Sequence, residues 1–180
     1  MQKLEKYKIR NYEHGNIFKR VVWYIFNEFV FNTFLPFPNA IKRVILKIFG
    51  ANIGEKVVIK PKVKIKYPWH LRIGNNSWIG ENVWIDNLGD VVIGDNVCIS
   101  QGALIITGNH NYKVESFDLI VKNIIIEDGS WICAKSIVGP GVKCMAGSIL
   151  TVGSVANSNL EKNCIYKGNP AKKIKDRKFK

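Results

Sequence analysis

Cysteine is scarce in this chain of 180 residues, and its arrangement excludes the usual thiol-based sites. The cysteines form no CxxC pair and no zinc-finger spacing. We therefore expect free thiols in a reducing cytoplasm rather than a disulfide framework. The four positions are Cys98, Cys133, Cys144 and Cys164.

Acidic residues are also few, since 14 Asp and Glu stand against 27 Lys and Arg and leave a formal net charge of +13. Such an excess predicts attraction to anions, among them nucleic acid, an acidic membrane surface and phosphate-bearing small molecules. The sequence shows no nucleic-acid-binding motif, so no nucleic-acid partner is expected. A basic scaffold that binds glycans or nucleic acid without catalysis remains the non-enzymatic alternative.

A long uninterrupted apolar run is absent as well. The N-terminus is charged and has no apolar segment followed by a small-residue cleavage site, so we expect no secretory signal and a cytoplasmic location. The most apolar stretch, residues 17–35, contains Lys19, Arg20 and Glu28 and is too interrupted for a transmembrane span.

This stretch instead predicts an aromatic-rich helix, with Asn16 as its N-cap and Pro36 as its stop. A second short helix is predicted over residues 40–49, ended by Gly50. Two interpretations of the first helix stay open. It packs on the end of the following domain, or it lies on the inner face of the cell membrane as an interfacial helix.

An aliphatic or small apolar residue recurs at every sixth position in runs through most of residues 53–156, with a two-residue phase jump after Leu71 and another after Val91. This period is neither that of a helix nor that of a plain strand. A fixed six-residue period marks a parallel β-helix, an all-β solenoid in which three hexads make one triangular coil. About five coils are predicted. The markers expected to point inward are Ile53, Ile59, Ile65, Leu71, Ile73, Ile79, Ile85, Val91, Ile93, Ile99, Ile105, Ile126, Ile132, Val138, Cys144, Leu150 and Ala156.

The period is broken once at length, by an excursion over residues 108–123. Long irregular insertions in a rigid scaffold are disproportionately functional. The chain is thus expected to comprise an N-terminal helical appendage (1–50), a β-helix domain (51–166) with the loop 108–123 inserted between coils, and a basic C-terminal tail (167–180).

The hexads occur together with a histidine loop, residues 107–112 (TGNHNY), and a GNPAK ending at residues 168–172. In this combination the chain resembles the hexapeptide-repeat acyltransferases, and most closely their branch of colanic-acid and exopolysaccharide biosynthesis acetyltransferases. The resemblance implies a left-handed β-helix, which departs from the general right-handed rule for parallel crossovers. It also implies a homotrimer with active sites between subunits, acetyl-CoA as co-substrate and a sugar or glycan acceptor.

Acetyl transfer to a hydroxyl needs a base, and imidazole titrates near neutral pH. Of the histidines His14, His70 and His110, only His110 opens the long excursion, and it matches the catalytic histidine of the family. We expect His110 to be the general base. Asp118, later in the same loop, is the candidate to orient its other ring nitrogen, although a solvated loop carboxylate is the competing interpretation.

By the same resemblance, Asp86 and Asn87 would bind acceptor hydroxyls or orient the imidazole, with Tyr112 lining the acceptor pocket. A simple Asx-turn at a coil corner is the alternative for Asp86 and Asn87. The family pattern places coenzyme A contacts near four residues, Ala134, Val152, Lys172 and Lys173. The family commonly carries Thr-Lys where this chain has Asn157 and Ser158, so one expected phosphate contact is missing.

The same fold allows two other activities. A γ-type carbonic anhydrase would need three histidines around zinc, but His14 and His70 lie away from the predicted catalytic coils, so no metal is expected. An acetyltransferase acting on an antibiotic or another small acceptor is the second alternative. A covalent acyl-cysteine is not expected, because the cysteines lie at repeat or tail positions.

Overall fold

The computed structural model describes residues 2–8 and 12–178. The parts of the predicted appendage and tail that fall on residues 1, 9–11, 179 and 180 lie outside the described residues. The chain begins with a 3₁₀ turn, Leu4–Lys6. Two α-helices follow, α1 (Ile17–Phe26) and α2 (Asn39–Ile48).

The predicted N-cap of the first helix is confirmed, because Oδ1 of Asn16 accepts a hydrogen bond of 3.2 Å from the backbone N–H of Lys19. The helix does not continue regularly to residue 35. It passes into a π-helical segment, Asn27–Phe31, which places the buried side chain of Asn27 against the solenoid. There Oδ1 of Asn27 accepts from the backbone N–H of Ile65 at 3.1 Å.

Residues 52–156 form a parallel β-solenoid whose short strands stack into three sheets. Five full coils and a partial sixth are present, in agreement with the predicted number. The first sheet contains, in spatial order, β1 (Asn52–Ile53), β4 (Leu71–Ile73), β7 (Val91–Ile93), β12 (Ile124–Ile126) and β15 (Lys143–Cys144). The third sheet contains, from the last coil back to the first, β17 (Val155–Ala156), β14 (Ile137–Val138), β9 (Leu104–Ile106), β6 (Trp84–Asp86) and β3 (Lys64–Ile65).

The second sheet is longer because the chain end adds to it. Its strands in order are β2 (Val58–Ile59), β5 (Trp78–Ile79), β8 (Cys98–Ile99), β13 (Trp131–Ile132), β16 (Ile149–Leu150), β18 (Cys164–Gly168) and β19 (Ala171–Asp176). The strands β18 and β19 pair antiparallel. Residues 171–176, expected in a basic tail, are therefore an ordered edge strand that covers the last coil.

The hexad markers build the core. All seventeen marker residues from Ile53 to Ala156 are at most 3 % exposed, so the predicted inward direction is confirmed. Matched strands stack like on like, as in the pairs Ile59↔Ile79 and Ile85↔Ile105. Stacking aliphatic side chains from successive coils fills the interior, and their burial is the main apolar contribution to stability.

The coil corners use two backbone devices. Some corners carry a residue in the left-handed region, and several of these are not glycine, for example Lys56 with φ 54° and Asn76 with φ 57°. At other corners the chain passes so close to the next coil that only glycine fits, as at Gly74. A Cβ there would lie within 2.6 Å of the backbone carbon of Gly94 in the next coil, so no side chain fits.

Helix α2 closes the open end of the first coil. Its Lys42 is only 1 % exposed and its Nζ donates to the carbonyl of Ile59 at 2.9 Å and to that of Lys60 at 3.4 Å. Burial lowers the pKa of this ammonium from its ordinary value. Across the described residues, no helix has the length and apolar content needed to cross a bilayer.

Candidate active site

The long excursion in the hexad pattern is a β-hairpin that projects from the solenoid. It consists of β10 (Gly108–His110) and β11 (Leu119–Val121), which pair antiparallel with His110 opposite Leu119. The hairpin leaves the third sheet directly after β9 and returns to the first sheet at β12. His110 thus lies four residues beyond the last residue of the solenoid strand β9, at the end of a hydrogen-bonded strand.

The imidazole of His110 is held by a residue that the sequence analysis did not single out. Its Nδ1 lies 2.8 Å from the carbonyl oxygen of Phe117, and the two rings stack with centroids 4.3 Å apart and planes 1° apart. A carbonyl can only accept, so Nδ1 carries a proton, and in the neutral imidazole the lone pair is therefore on Nε2. Phe117 has φ 49°, the conformation that turns its carbonyl toward the ring.

A second contact to the ring comes from the N-terminus. The edge of Tyr7 packs on His110 with centroids 5.6 Å apart. This segment is fastened to the hairpin, because the backbone N–H of Lys3 donates to the carbonyl of Glu115 at 2.8 Å and Nζ of Lys6 contacts the carboxylate of Glu115 at 2.6 Å. The sequence offered no signal for Tyr7, since the first fifteen residues carry no pattern.

Asp118 does not take the orienting position that we expected for it. The Phe117 carbonyl occupies Nδ1, and Oδ1 of Asp118 is buried with no hydrogen-bond partner among the described residues. The backbone carbonyl of Asp118 accepts from Asn111 at 2.8 Å, which closes the hairpin. An unpaired buried carboxylate oxygen is costly, so a polar group supplied by a ligand or a second chain would stabilise this site.

Asp86 and Asn87 follow each other at a coil corner but have different surroundings. Asp86 is partly buried. Its Oδ1 lies 2.8 Å from Nζ of Lys66, so the two side chains form an ion pair, but this contact does not have the geometry of a hydrogen bond. Asn87 is fully buried, and its amide binds the backbone of Tyr67 through Nδ2 to the carbonyl at 2.6 Å and through Oδ1 to the N–H at 3.0 Å. The expected acceptor contact at Asn87 is therefore replaced by a structural role, because both of its polar groups are used.

Tyr112 lies at the exposed tip of the hairpin, with 74 % of its surface accessible. Its backbone N–H donates to the carbonyl of His110 at 3.1 Å. The side chain has no hydrogen bond to the described residues, so it is free to contact an acceptor.

Two coil corners between the second and third sheets offer unpaired backbone donors. The N–H groups of Ala134 and Val152 donate to no acceptor among the described residues, while the N–H of Gly153 donates to the carbonyl of Ala134 at 3.0 Å. The two corners are thus neighbours in successive coils, about 4.8 Å apart. Free N–H groups in a row fit the amide carbonyls of a pantetheine arm, so these residues fit a bound coenzyme A.

The two candidate phosphate contacts at the chain end are not equivalent. Lys173 pairs with Glu161 and Asp176, each at 3.0 Å, and these hydrogen bonds raise its pKa. Lys172 is exposed, forms no ion pair with the described residues, and lies opposite Lys167 across the β18–β19 hairpin. Lys167 is therefore a second cation beside Lys172, and it is recognised only from the pairing of β18 with β19.

The remaining histidines and the thiols do not form a second reactive centre. His70 binds Asp90 at 2.8 Å, and His14 lies 3.4 Å from the hydroxyl of Tyr67. Within residues 2–8 and 12–178, no group of three or more His, Cys, Asp or Glu is placed to hold a metal ion. Burial raises the pKa of Cys133 to about 11 and that of Cys144 to about 12, which disfavours the thiolate form.

A triangular parallel β-helix with an inserted hairpin that carries an oriented histidine defines the hexapeptide-repeat acyltransferase class. No family model matches the chain. The chain is 32 % identical over 178 residues to the "Putative colanic acid biosynthesis acetyltransferase WcaF" of Escherichia coli, with 98 % of each chain covered. It is 27 % identical over 138 residues to the galactoside O-acetyltransferase of Escherichia coli, which covers 75 % of this chain and 68 % of that protein.

Solved structures show the same fold. The acetyltransferase VCA0836 of Vibrio cholerae in complex with acetyl coenzyme A has a TM-score of 0.83 at 22 % identity and covers 99 % of this chain and 100 % of that one. Galactoside acetyltransferase in complex with coenzyme A has a TM-score of 0.82 at 22 % identity and covers 94 % and 86 %. These neighbours are left-handed β-helices, as the resemblance implied. The chain belongs to the hexapeptide-repeat acetyltransferase family, in the group that includes WcaF.

Proposed function

We propose that this protein is an O-acetyltransferase that moves an acetyl group from acetyl-CoA to a hydroxyl of a sugar or glycan intermediate in surface polysaccharide biosynthesis. The relative with 32 % identity over the whole chain carries a name from that process. The observation that carries the proposal is the 2.8 Å contact between Nδ1 of His110 and the Phe117 carbonyl. It leaves Nε2 as a proton acceptor with a fixed direction.

Acetyl-CoA, when bound, supplies the acetyl group as a thioester. Nε2 of His110 accepts the proton of the acceptor hydroxyl while the oxygen of that hydroxyl forms a bond to the acetyl carbon. When the carbon–sulfur bond breaks, protonated His110 gives that proton to the departing sulfur and returns to its neutral state. The Phe117 carbonyl stabilises the imidazolium formed between these two transfers and keeps the ring oriented. Asp86 and Tyr112 would hold the acceptor.

We also propose that the protein works as a homotrimer with active sites between subunits. Large aromatic side chains on the second sheet support an interface there, because Trp78 is 59 % exposed and Trp131 is 43 % exposed although each belongs to an ordered strand. The unpaired Oδ1 of Asp118 supports a site completed by another chain. Light scattering coupled to size exclusion should give three times the 20.4 kDa chain mass, and a monomer mass would contradict it.

Peripheral contact with the inner face of the cell membrane is a further part of the proposal. Helix α1 exposes large apolar side chains, including Phe18 at 78 %, and Phe29 beyond it is 71 % exposed. With the net charge of +13, this surface fits an anionic bilayer. In flotation with phosphatidylglycerol vesicles we expect Phe18→Glu to reduce recovery about tenfold. Ile174→Glu, at a side chain 52 % exposed on β19, should not.

The activity is tested by following thiol release from acetyl-CoA over a panel of free sugars, sugar nucleotides, lipid-linked sugars and antibiotics. We expect release with at least one sugar-bearing acceptor, and release slowed at least about 100-fold with His110→Ala. Release only with an antibiotic would contradict the proposed acceptor class. Full activity of His110→Ala on a good acceptor would contradict the proposed base.

A further inference from the structure

A cavity of about 460 Å³ lies between helix α1 and the first two coils of the solenoid. Its charged lining residues are Arg20, Glu28, Lys64, Lys66 and Asp86. Two contacts to Ile65 hold its wall in place, since Nε1 of Trp23 donates to the carbonyl at 2.9 Å and Asn27 accepts from the N–H at 3.1 Å. The cavity is therefore a built feature and falls in the size range of small-ligand sites.

Its cations are only partly compensated by carboxylates. Lys66 pairs with Asp86, and Glu28 accepts from Nδ2 of Asn32 at 2.7 Å. Arg20, which is half-buried, and Lys64 form no ion pair with any described residue. An arginine and a lysine that face one cavity without a carboxylate partner fit a phosphate or diphosphate group.

The wall of the cavity that helix α1 forms is apolar apart from Arg20 and reaches the surface. Ile17 and Val21 line it and remain 54 % and 52 % exposed, and Tyr24 is 66 % exposed. On the same helix, Phe18, Val22 and Ile25 continue the exposed apolar face. A ligand in the cavity could therefore extend an apolar chain along α1. Across from them, the exposed ring of Trp84 offers a flat face of the kind that packs on a sugar ring.

The cavity lies beside the base of the histidine hairpin. Asp86, on its edge, pairs in register with Ile106, and the carbonyl of Asp86 accepts from the N–H and the hydroxyl of Thr107 at 3.2 and 3.1 Å. Three residues later the chain reaches His110. Leu88 also touches the hairpin, because a Cβ on Gly108 would lie 2.9 Å from its side chain.

We infer that this cavity binds an acceptor in which a sugar is linked through a diphosphate to an isoprenoid chain. Arg20 and Lys64 bind the diphosphate, Trp84 packs on the sugar, and the isoprenoid follows the apolar face of α1. The inference rests on the proposed sugar acetyltransferase function and names its acceptor class. A nucleotide-linked sugar would offer the same diphosphate but no apolar chain. The test therefore compares an isoprenoid-linked diphosphate with a nucleotide-linked one.

The first arm measures binding and needs no acetyl transfer. Isothermal titration of the full chain uses farnesyl diphosphate as the isoprenoid probe and UDP-glucose as the nucleotide probe. We expect farnesyl diphosphate to bind more tightly, and the double variant Arg20→Ala, Lys64→Ala to weaken it at least tenfold. The matched control is Arg43→Ala, Lys47→Ala, which removes the same charges from α2 outside the cavity. Equal loss in both variants, tighter binding of UDP-glucose, or no binding of farnesyl diphosphate would overturn the inference.

The second arm measures acetyl transfer to one sugar presented free, on UDP and on a farnesyl diphosphate. We expect the Arg20→Ala, Lys64→Ala variant to raise KM at least tenfold for the farnesyl-linked sugar and to leave the free sugar and acetyl-CoA unchanged. A uniform change across all acceptors would overturn the inference. If the wild type acetylates none of these sugars, the proposed function fails, and the binding arm still decides whether the cavity takes an isoprenoid diphosphate.

Discussion

Nδ1 of His110 donates a hydrogen bond of 2.8 Å to the carbonyl of Phe117, whose ring lies parallel to the imidazole at 4.3 Å. A single residue thus fixes the tautomer through its backbone and the ring plane through its side chain. The carbonyl carries no net charge, so it orients the imidazole without forming an ion pair with it. The residues between His110 and Phe117 form the turn that brings this carbonyl back to the ring.

Replacing His110 by alanine should remove the proposed base and leave the fold intact, because the hairpin is held by backbone pairing. We expect kcat to fall about 10²- to 10⁴-fold, the usual contribution of general base catalysis, with KM for acetyl-CoA little changed. Steady-state kinetics on the best acceptor of the panel measure both. His70→Ala is the control, since His70 binds Asp90 on another corner. An equal loss in the control would point to damage of the fold.

Phosphate recognition at the chain end should depend on Lys172 and Lys167 more than on Lys173. We expect Lys172→Ala to raise KM for acetyl-CoA about threefold to tenfold at unchanged kcat, as for an exposed charged contact. Lys173→Ala should have a smaller effect on KM, because its ammonium already binds Glu161 and Asp176. Acetyl-dephospho-CoA, which lacks the 3′-phosphate, should reduce the difference between Lys172→Ala and wild type. A larger KM effect for Lys173→Ala would contradict this assignment.

Asp86 and Asn87 should separate into a binding role and a structural role. Asp86→Asn is expected to raise KM for the acceptor at little cost in stability, because its carboxylate is partly exposed and pairs only with Lys66. Asn87→Ala should lower the free energy of unfolding by about 1–3 kcal/mol, since it leaves the buried backbone groups of Tyr67 without partners. Denaturant unfolding and acceptor kinetics on both variants are the measurement. A stable Asn87→Ala with a raised KM would reverse the assignment.

The solenoid was predictable from the sequence because one rule repeats. Each coil needs an aliphatic residue at the same inward position, so the recurring aliphatic residues predict the stacking that Ile79, Ile99 and Ile132 show in successive coils. The position of His110 followed from the same rule, as the residue that opens the long interruption. The corner residues in the left-handed region were harder to predict, since Lys56 and Lys135 occupy positions where glycine or asparagine is expected.

The details of the candidate site were not predictable, because they depend on contacts between segments distant in sequence. The Phe117 carbonyl reaches His110 only through the turn of the hairpin, and Tyr7 reaches it from the other end of the chain. Lys167 became a neighbour of Lys172 because the expected tail folds back as a strand. Backbone groups carry no sequence signature, so the unpaired N–H of Val152 was visible only in the fold.

Lys42 should give the stability of the protein a distinct dependence on pH. Burial lowers the pKa of its ammonium in the folded state, while the unfolded chain keeps the ordinary value near 10.5. As the pH rises from the lowered pKa toward 10.5, the folded state releases this proton before the unfolded state does. The unfolded state then binds more protons, so the contribution of Lys42 to the free energy of unfolding increases over this window.

The variant Lys42→Met keeps the apolar stem and removes the titrating group. At pH 7 we expect it to be destabilised by about 1–3 kcal/mol, because the carbonyls of Ile59 and Lys60 lose their donor. The difference from wild type should widen as the pH approaches 10. Urea unfolding of both proteins across this range measures it, and the titrations of Cys133 and Cys144, common to both, cancel in the difference. A difference that stays constant with pH would show that the Lys42 ammonium keeps its ordinary pKa in the folded state.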